Sequence, residues 1–453
     1  MNKLVRAITA FLSKGEERSI KAKKNIMAGF GIKGAAVLIG FIKIPIILAY
    51  LNVEKYGIWL TIASIVDWVH YFDLGIGHGL RNKLAEALAK NNSELAKKLV
   101  STAYYYITLM FGFFCVLLLP FVFIFDWQHI LNTTLVGKME LCLSVMIVLI
   151  MFVLRFIFYQ ISIILKADQR PALSDVFLPI ANFLTLVIVF FLKYISKNSL
   201  LGACIAISAP PVFVLFFVNI YFFRKDYKQY RPSLKFIDKS LFKDTFTLGI
   251  KFFIIQMAGL VMFASSNIIL TQVVNPSEVT LYNISRQYFN IPFMVFGIIL
   301  TPFWSAITDA YIREDYNWIK NSMKKLFYIG IVFSFFELLL LVLSPFAYKI
   351  WLGDTVQIPF LLSMVTACLF VFYLLGAPFS HFLNGVGKLS ISIYAGIVQI
   401  FIFLPIALAF TEEIGAVGLV LSMIIVNSIP AIICGFVQYI KIINKKAFGI
   451  WDR

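Results

Sequence analysis

The chain has 453 residues, of which 60% are hydrophobic and 16% aromatic, and its mean hydropathy is +0.88. Only 14% of the residues are charged, whereas soluble proteins usually have about 25%, so an ordinary soluble domain is excluded. The formal net charge of +17 is typical of basic cytoplasmic loops in a membrane protein and does not require nucleic acid as a partner. The five cysteines and four histidines show no disulfide framework or metal-site spacing.

Apolar stretches long enough to cross a bilayer as helices follow one another along the whole chain. Helices satisfy their own backbone hydrogen bonds, which makes them suitable for the lipid interior. The sequence therefore predicts an all-α polytopic membrane protein with about twelve transmembrane helices. The predicted spans are 26–51, 57–80, 99–125, 139–165, 172–195, 199–223, 246–273, 279–303, 325–345, 356–380, 389–410 and 415–440.

Lysine and arginine residues are concentrated in alternate loops between these spans. Thirty of the 40 lie in the N-terminal segment, in every second loop and in the C-terminal tail, while five lie in the other loops and five inside spans. Basic residues accumulate on the cytoplasmic side, so both termini are predicted to be cytoplasmic. The first 25 residues lack the apolar region of a cleavable signal peptide. We expect a multi-pass protein of the inner membrane.

The two halves of the sequence resemble each other. Gly31-Ile32-Lys33 in the first span recurs as Gly249-Ile250-Lys251 in the seventh, and two further short matches occur in the same order. This indicates an internal duplication into two six-helix lobes with parallel repeats, an arrangement found in transporters that bind substrate between their halves. The predicted segments are a basic cytoplasmic N-terminal segment at 1–25, lobes at 26–223 and 246–440, a basic connector at 224–245 and a cytoplasmic tail at 441–453.

Five basic residues inside the spans are the first candidates for function, because charges at bilayer depth are costly and usually face a cavity or a partner. Lys33 and Lys251 occupy matching places in the two halves. Two interpretations remain for them: they form a site for an anion, or their side chains snorkel to the cytoplasmic interface. Lys43 is too deep to snorkel, which favours a cavity. Polar neighbours surround Arg286, as expected in a water-filled lumen. Arg155 could bind substrate or pair with a buried acid.

Three ionisable residues in the second predicted span share one helix face: Asp67, His70 and Asp73. Such a group is typical of a proton relay, but pairing of the acids with the basic residues of the spans is the favoured interpretation. Glu337 is the other isolated acid, and a structural ion pair is expected for it. Coupling to protons or to sodium ions is compatible with the sequence. No P-loop motif, cofactor motif, catalytic constellation or metal-ligand spacing is present.

A specific resemblance covers the second span and the loop after it. The residues Tyr56-Gly57-Ile58-Trp59-Leu60-Thr61-Ile62, followed by the stretch 72–87, resemble bacterial O-antigen flippases, which belong to the superfamily of polysaccharide transporters, multidrug extruders and the lipid II flippase. The length, the twelve spans and the internal duplication are similar to this family over the whole chain.

The resemblance implies a substrate and a site. Members of the family move an oligosaccharide unit linked through pyrophosphate to undecaprenol from the cytoplasmic to the periplasmic leaflet, through a cationic cavity between two lobes. The resemblance implies membrane lipids and the O-antigen polymerase machinery as partners. It implies neither a nucleic-acid partner nor an enzymatic activity. The matching cavity residues in this sequence are Lys33, Lys43, Lys251 and Arg286, together with Arg155.

The main alternative is an ion-coupled exporter of multidrug or organic cations from the same superfamily. Such an exporter would need acids to dominate its cavity, whereas basic residues in the spans of this chain outnumber unpaired acids. A membrane-embedded glycosyltransferase or polymerase is disfavoured because the loops opposite the cytoplasm are short. The sugar unit, the coupling ion, the oligomeric state and the resting conformation do not follow from the sequence.

Overall fold

The computed structural model describes residues 17–70, 76–195, 198–241, 262 and 265–452. Within these ranges the regular elements are helices and no strand occurs.

The first half of the chain forms nine helices within the described ranges. Side chains define where two of them begin: Asn92 Oδ1 accepts a hydrogen bond from the Leu95 amide, and Ser199 Oγ accepts one from the Gly202 amide. The helices are α1 (Glu17–Tyr50), α2 (Val53–His70), α3 (Ile76–Ala89), α4 (Ser93–Ile124), α5 (Trp127–Ile130), α6 (Lys138–Phe158), α7 (Gln160–Ala167), α8 (Pro171–Ile195) and α9 (Leu200–Arg224).

The second half contains long helices with one sharp break. Residues 265–273 are helical, and the helices that follow are α10 (Pro276–Ile312), α11 (Tyr316–Leu352), α12 (Phe360–Val386), α13 (Ser390–Met423) and α14 (Ile429–Ile443). A π-helical turn, Ile424–Ser428, joins the last two. Gly415 breaks α13 with φ 60° and ψ −140°, backbone angles that only glycine adopts readily. The break falls where the sequence predicts the loop between the eleventh and twelfth spans.

Eight of the described helical stretches are long and apolar enough to cross a membrane. The longest, Ser390–Ile443, contains two of the predicted spans. Large apolar side chains point outward from these helices: Val116 is 70% exposed and Phe401 is 75% exposed, which suits contact with lipid tails. The eighth predicted span lies within α10, while most of the seventh, 246–273, lies outside the described residues. The second predicted span, 57–80, is too long, because α2 ends at His70 and residues 76–80 belong to α3.

The chain packs into two compact units. The first unit comprises Met1–Asn52, Val69–Gln128 and Thr134–Phe253, and the second comprises Val53–Trp68, His129–Thr133 and Ile254–Arg453. Most of α2 therefore packs with the second half of the chain. Each unit has its own apolar core, formed in the first by residues such as Leu84, Leu99, Leu165 and Phe222 and in the second by residues such as Phe296, Leu326, Phe382, Phe403 and Leu419. The predicted lobe boundaries stay a prediction.

Candidate functional site

The first candidate site lies in the first unit around Lys43. This residue is on α1, two positions before Pro45, and its side chain is half-buried. The ammonium donates a hydrogen bond of 3.2 Å to Oδ1 of Asn182 on α8. The amide orients the ammonium without neutralising it, and no carboxylate among the described residues acts on Lys43. Its positive charge is therefore available to an anionic ligand.

A second cation reinforces this positive charge. Arg155 on α6 lies within electrostatic range of the Lys43 ammonium. The ion pairs of the described part of the chain include neither residue. The predicted pairing of Arg155 with a buried acid is therefore not seen there. Arg155 is exposed on α6 whereas Lys43 is half-buried. The two like charges repel each other, and an anion bound by both would relieve the repulsion. A guanidinium also matches phosphate geometry, because it can donate two parallel hydrogen bonds.

The structure describes only some of the other predicted site residues. Lys33 is exposed on α1, a position compatible with both interpretations given for it. Asp67 and His70 fall in the last turn of α2, but their side chains lie outside the described residues, as do Asp73 and Lys251 altogether. The relay and the matched pair of lysines therefore stay predictions.

The second unit carries a separate polar region around Arg286. This residue is half-buried on α10 and acts electrostatically on Tyr373 of α12. The Tyr373 hydroxyl lies beside Asn427 and Ser428, which belong to the π-helical turn. Single π turns inside helices often mark functional sites because they displace side chains from the regular helical pattern. Arg286 and its polar neighbours thus offer a second surface suited to a polar or anionic ligand.

A chain of neutral polar side chains continues from this region. Asn283 donates to Asn267 at 2.8 Å, and Asn267 donates to Ser64 on α2 at 2.7 Å. Nearby, the hydroxyls of Thr61 and Thr271 are 2.6 Å apart. Sequence analysis missed these contacts because two of the three pairs join residues about 200 positions apart and each residue type is common in membrane helices. Amides and hydroxyls of this kind are the groups that bind polyhydroxyl ligands.

Glu337 on α11 does not form the predicted ion pair. The residue is fully buried, and neither carboxylate oxygen has a hydrogen-bond partner among the described residues. The prediction of a structural pair is therefore wrong for the described part of the molecule. No group of three or more potential metal ligands occurs within the same residues.

The fold is similar to those of solved membrane transporters. One is an inward-facing multidrug resistance transporter of the MATE family in the MOP superfamily, with 14% identity and a TM-score of 0.69 over 92% of this chain and 94% of that one. Another is an outward-facing transporter of the same family, with 15% identity and a TM-score of 0.60 over 94% and 95%. A third, a MOP superfamily transporter from Pyrococcus furiosus described as having a binding pocket of reverse polarity, shows 16% identity and a TM-score of 0.59 over 97% and 98%.

These identities are low, so the likeness concerns the fold. It confirms the predicted fold class, an all-α polytopic membrane protein with about twelve helices in two six-helix lobes. A search of curated protein sequences returned no match. A family model described as "Polysaccharide biosynthesis protein" matches residues 22–308, which is more than half of the chain and includes Lys43, Arg155 and Arg286. The protein therefore belongs to the polysaccharide biosynthesis protein family, whose fold it shares with transporters of the MOP superfamily.

Proposed function

We propose that the protein is a flippase that translocates undecaprenyl-pyrophosphate-linked oligosaccharide units, such as those of O-antigen, from the cytoplasmic to the periplasmic leaflet of the bacterial inner membrane. Transport proceeds by alternating access, with both termini in the cytoplasm. The 30-to-5 division of basic residues between alternate loops supports this orientation. Membership in the polysaccharide biosynthesis family supports the substrate class.

One observation carries the proposal: Arg155 acts electrostatically on Lys43, and no carboxylate does so among the described residues. A pyrophosphate brings two neighbouring negative groups, which such a pair of cations can bind at once. Asn182 holds the Lys43 ammonium in place, so less conformational freedom is lost on binding. Polar side chains near the bound headgroup accommodate the sugar, and the lipid tail stays in the bilayer.

The alternative function is an ion-coupled exporter of organic cations, which the fold shared with multidrug transporters favours. The charge at the candidate site argues against it. An organic cation beside Lys43 and Arg155 would meet repulsion, and the described side chains in that region provide no carboxylate to offset it. The two functions therefore differ in the sign of charge that the site attracts.

The test begins with deletion of the gene and continues with complementation by variants. Deletion should abolish surface polysaccharide and cause the lipid-linked oligosaccharide to accumulate in the inner leaflet. Lys43→Met should complement poorly, because loss of a charged hydrogen-bond donor costs about 1.5–3 kcal/mol, or roughly 10- to 150-fold in affinity. Lys138→Met, which removes an exposed lysine paired with Asp126, is the matched control and should complement fully.

Protein levels in the membrane must be equal for the comparison to hold. Normal surface polysaccharide in the deletion strain, together with greater sensitivity to cationic drugs, would replace the flippase with the exporter. Full complementation by Lys43→Met at an equal protein level would remove the cationic site from the proposal.

A further inference from the structure

Glu337 is an ionisable residue that the proposed translocation step does not use. It lies near the middle of α11, within the apolar stretch 329–344. Its neighbours Phe336 and Leu338 are each more than half exposed, whereas Glu337 is completely buried. The helix therefore presents its apolar side chains outward and turns its single acid into the protein. This orientation is the one expected of a helix that faces lipid.

The buried carboxyl lacks any compensating group among the described residues. Neither oxygen accepts a hydrogen bond, and no lysine, arginine or histidine among them acts on the carboxyl. An ionised carboxylate in such surroundings is strongly unfavourable, so the carboxyl must carry a proton while it is buried in this way. A purely structural role would have been filled better by leucine or glutamine.

The surroundings of Glu337 contain hydroxyl groups. Tyr288 on α10 lies within electrostatic range of the carboxyl, and its hydroxyl donates to the backbone oxygen of Leu340 at 3.1 Å. The ring of Tyr288 packs against Tyr348 of α11, with centroids 5.1 Å apart. On α12, Ser363 Oγ donates to the Tyr348 hydroxyl at 3.4 Å. Among the described residues, the titratable group that acts on the Glu337 carboxyl is thus Tyr288, a neutral phenol, and the other hydroxyls lie further along α11.

We propose that Glu337 is a proton-binding site that couples transport to proton movement, an inference that rests on the proposed transport function. The carboxylate takes up a proton from water when the site is open, forming an O–H bond at one oxygen. It releases that proton to water when the site opens again, and no oxidation or reduction accompanies either step. The neutral acid can be buried, whereas the ionised acid cannot. The conformational change that buries Glu337 therefore requires a bound proton.

A proton fits this site better than a metal ion. Sodium and divalent cations require several oxygen ligands, whereas no cluster of metal-binding residues surrounds Glu337 in the described part of the chain. The Tyr288 hydroxyl is directed toward the Leu340 carbonyl oxygen. One carboxyl with unoccupied oxygens is sufficient for a proton. This site is distinct from the group predicted at Asp67, His70 and Asp73.

Infrared spectroscopy of the full-length protein in lipid nanodiscs tests the proposal without a transport substrate. The wild-type protein should show the carbonyl band of a protonated carboxylic acid at neutral pH. That band should shift on transfer to deuterated water and disappear at alkaline pH. Glu337→Gln should lack the band, whereas Glu412→Gln, which changes an exposed acid, should keep it.

Proton flux measured in proteoliposomes provides the second arm. The probe is an imposed pH gradient across vesicles made with a lipid extract from the deletion strain, which contains the accumulated lipid-linked intermediates. The wild-type protein and Glu412→Gln should dissipate the gradient, and Glu337→Gln should do so no faster than protein-free vesicles.

Three results would overturn the proposal: a band that persists in Glu337→Gln, a band that neither exchanges nor titrates, or loss of the band on addition of sodium chloride at constant pH. Gradient dissipation by Glu337→Gln at the wild-type rate would overturn it as well. Failure of the flippase function is recognised separately, by normal surface polysaccharide in the deletion strain.

Discussion

Among the described glycines, Gly57 is the one where an added Cβ atom would come nearest to another atom. It lies on α2, which packs in the second unit against the start of α10. A Cβ atom built on Gly57 would lie 1.7 Å from the backbone oxygen of Pro276, whereas real Cβ contacts are essentially never shorter than 3.0 Å. A backbone oxygen cannot rotate away as a flexible side chain can, so Gly57→Ala must push α2 away from residue 276.

The displacement would disturb the hydrogen bonds on either side of the contact. The Thr280 hydroxyl donates to the Val53 backbone oxygen at 2.7 Å, and the hydroxyls of Thr61 and Thr271 are 2.6 Å apart. Overpacking costs about 2 kcal/mol and a lost hydrogen bond about 1 kcal/mol. Together these weaken the docking of α2 by about 3 kcal/mol, or roughly a hundredfold in the ratio of docked to displaced forms.

Disulfide crosslinking measures this effect directly. With the five native cysteines replaced, the pair Thr61→Cys and Thr271→Cys should crosslink rapidly on mild oxidation, because the two side chains touch. Adding Gly57→Ala should slow the crosslinking by at least about tenfold, since disulfide geometry tolerates little displacement. Gly297→Ala is the control in the same unit, because a Cβ there would meet nothing within 4 Å.

Equal crosslinking rates for Gly57→Ala and Gly297→Ala would contradict this prediction. That result would mean that α2 is not held against residue 276 as the structure describes.

Two further substitutions test local features outside the candidate sites. Gly415→Ala should lower the free energy of unfolding by about 1–3 kcal/mol in thermal denaturation, because φ 60° with ψ −140° strains any residue that has a Cβ. In the connector, burial and donation to Asp168 at 2.9 Å raise the pKa of Tyr227. The stability gained from the protonated phenol is complete below the unfolded value of about 10 and is lost as the pH rises further, so Tyr227→Phe should make thermal stability less dependent on pH between about 9 and 11.

The sequence predicted the positions of the helices far better than the side-chain contacts between them. A run of apolar residues must form a helix in lipid whatever lies beside it, and most of the predicted spans overlap described helices, although several helices, such as α1, α10 and α11, extend up to about nine residues beyond the predicted ends. Even the break at Gly415 falls at a predicted loop, where the sequence turns polar at Glu412 and Glu413. These features depend on local composition, which a single sequence contains in full.

The contacts of the candidate sites could not be predicted in the same way. The partners of Lys43 and Asn267 lie 139 and 203 residues away, and amides are too common in membrane helices for a sequence to identify the pairs. Glu337 was expected to pair because buried acids usually do, and only the packing of α11 shows otherwise. By contrast, packing explains the residues at the start of the stretch that resembles O-antigen flippases, because Tyr56 is buried and Gly57 contacts residue 276.

Lys43 allows function to be separated from stability. A positive charge that is half-buried in a helix bundle, close to Arg155 and with no carboxylate acting on it among the described residues, must destabilise the empty protein. Burial of a charge without an opposite charge beside it costs free energy, and replacing buried charged groups by apolar side chains of similar volume is often stabilising. Lys43→Met should therefore raise the thermal unfolding temperature of the purified protein while it lowers surface polysaccharide. A charge that is present despite this cost in stability has a role in binding a ligand of opposite charge. If Lys43→Met instead lowered the unfolding temperature, its bond to Asn182 would be a structural contact and the loss of transport would need no anion.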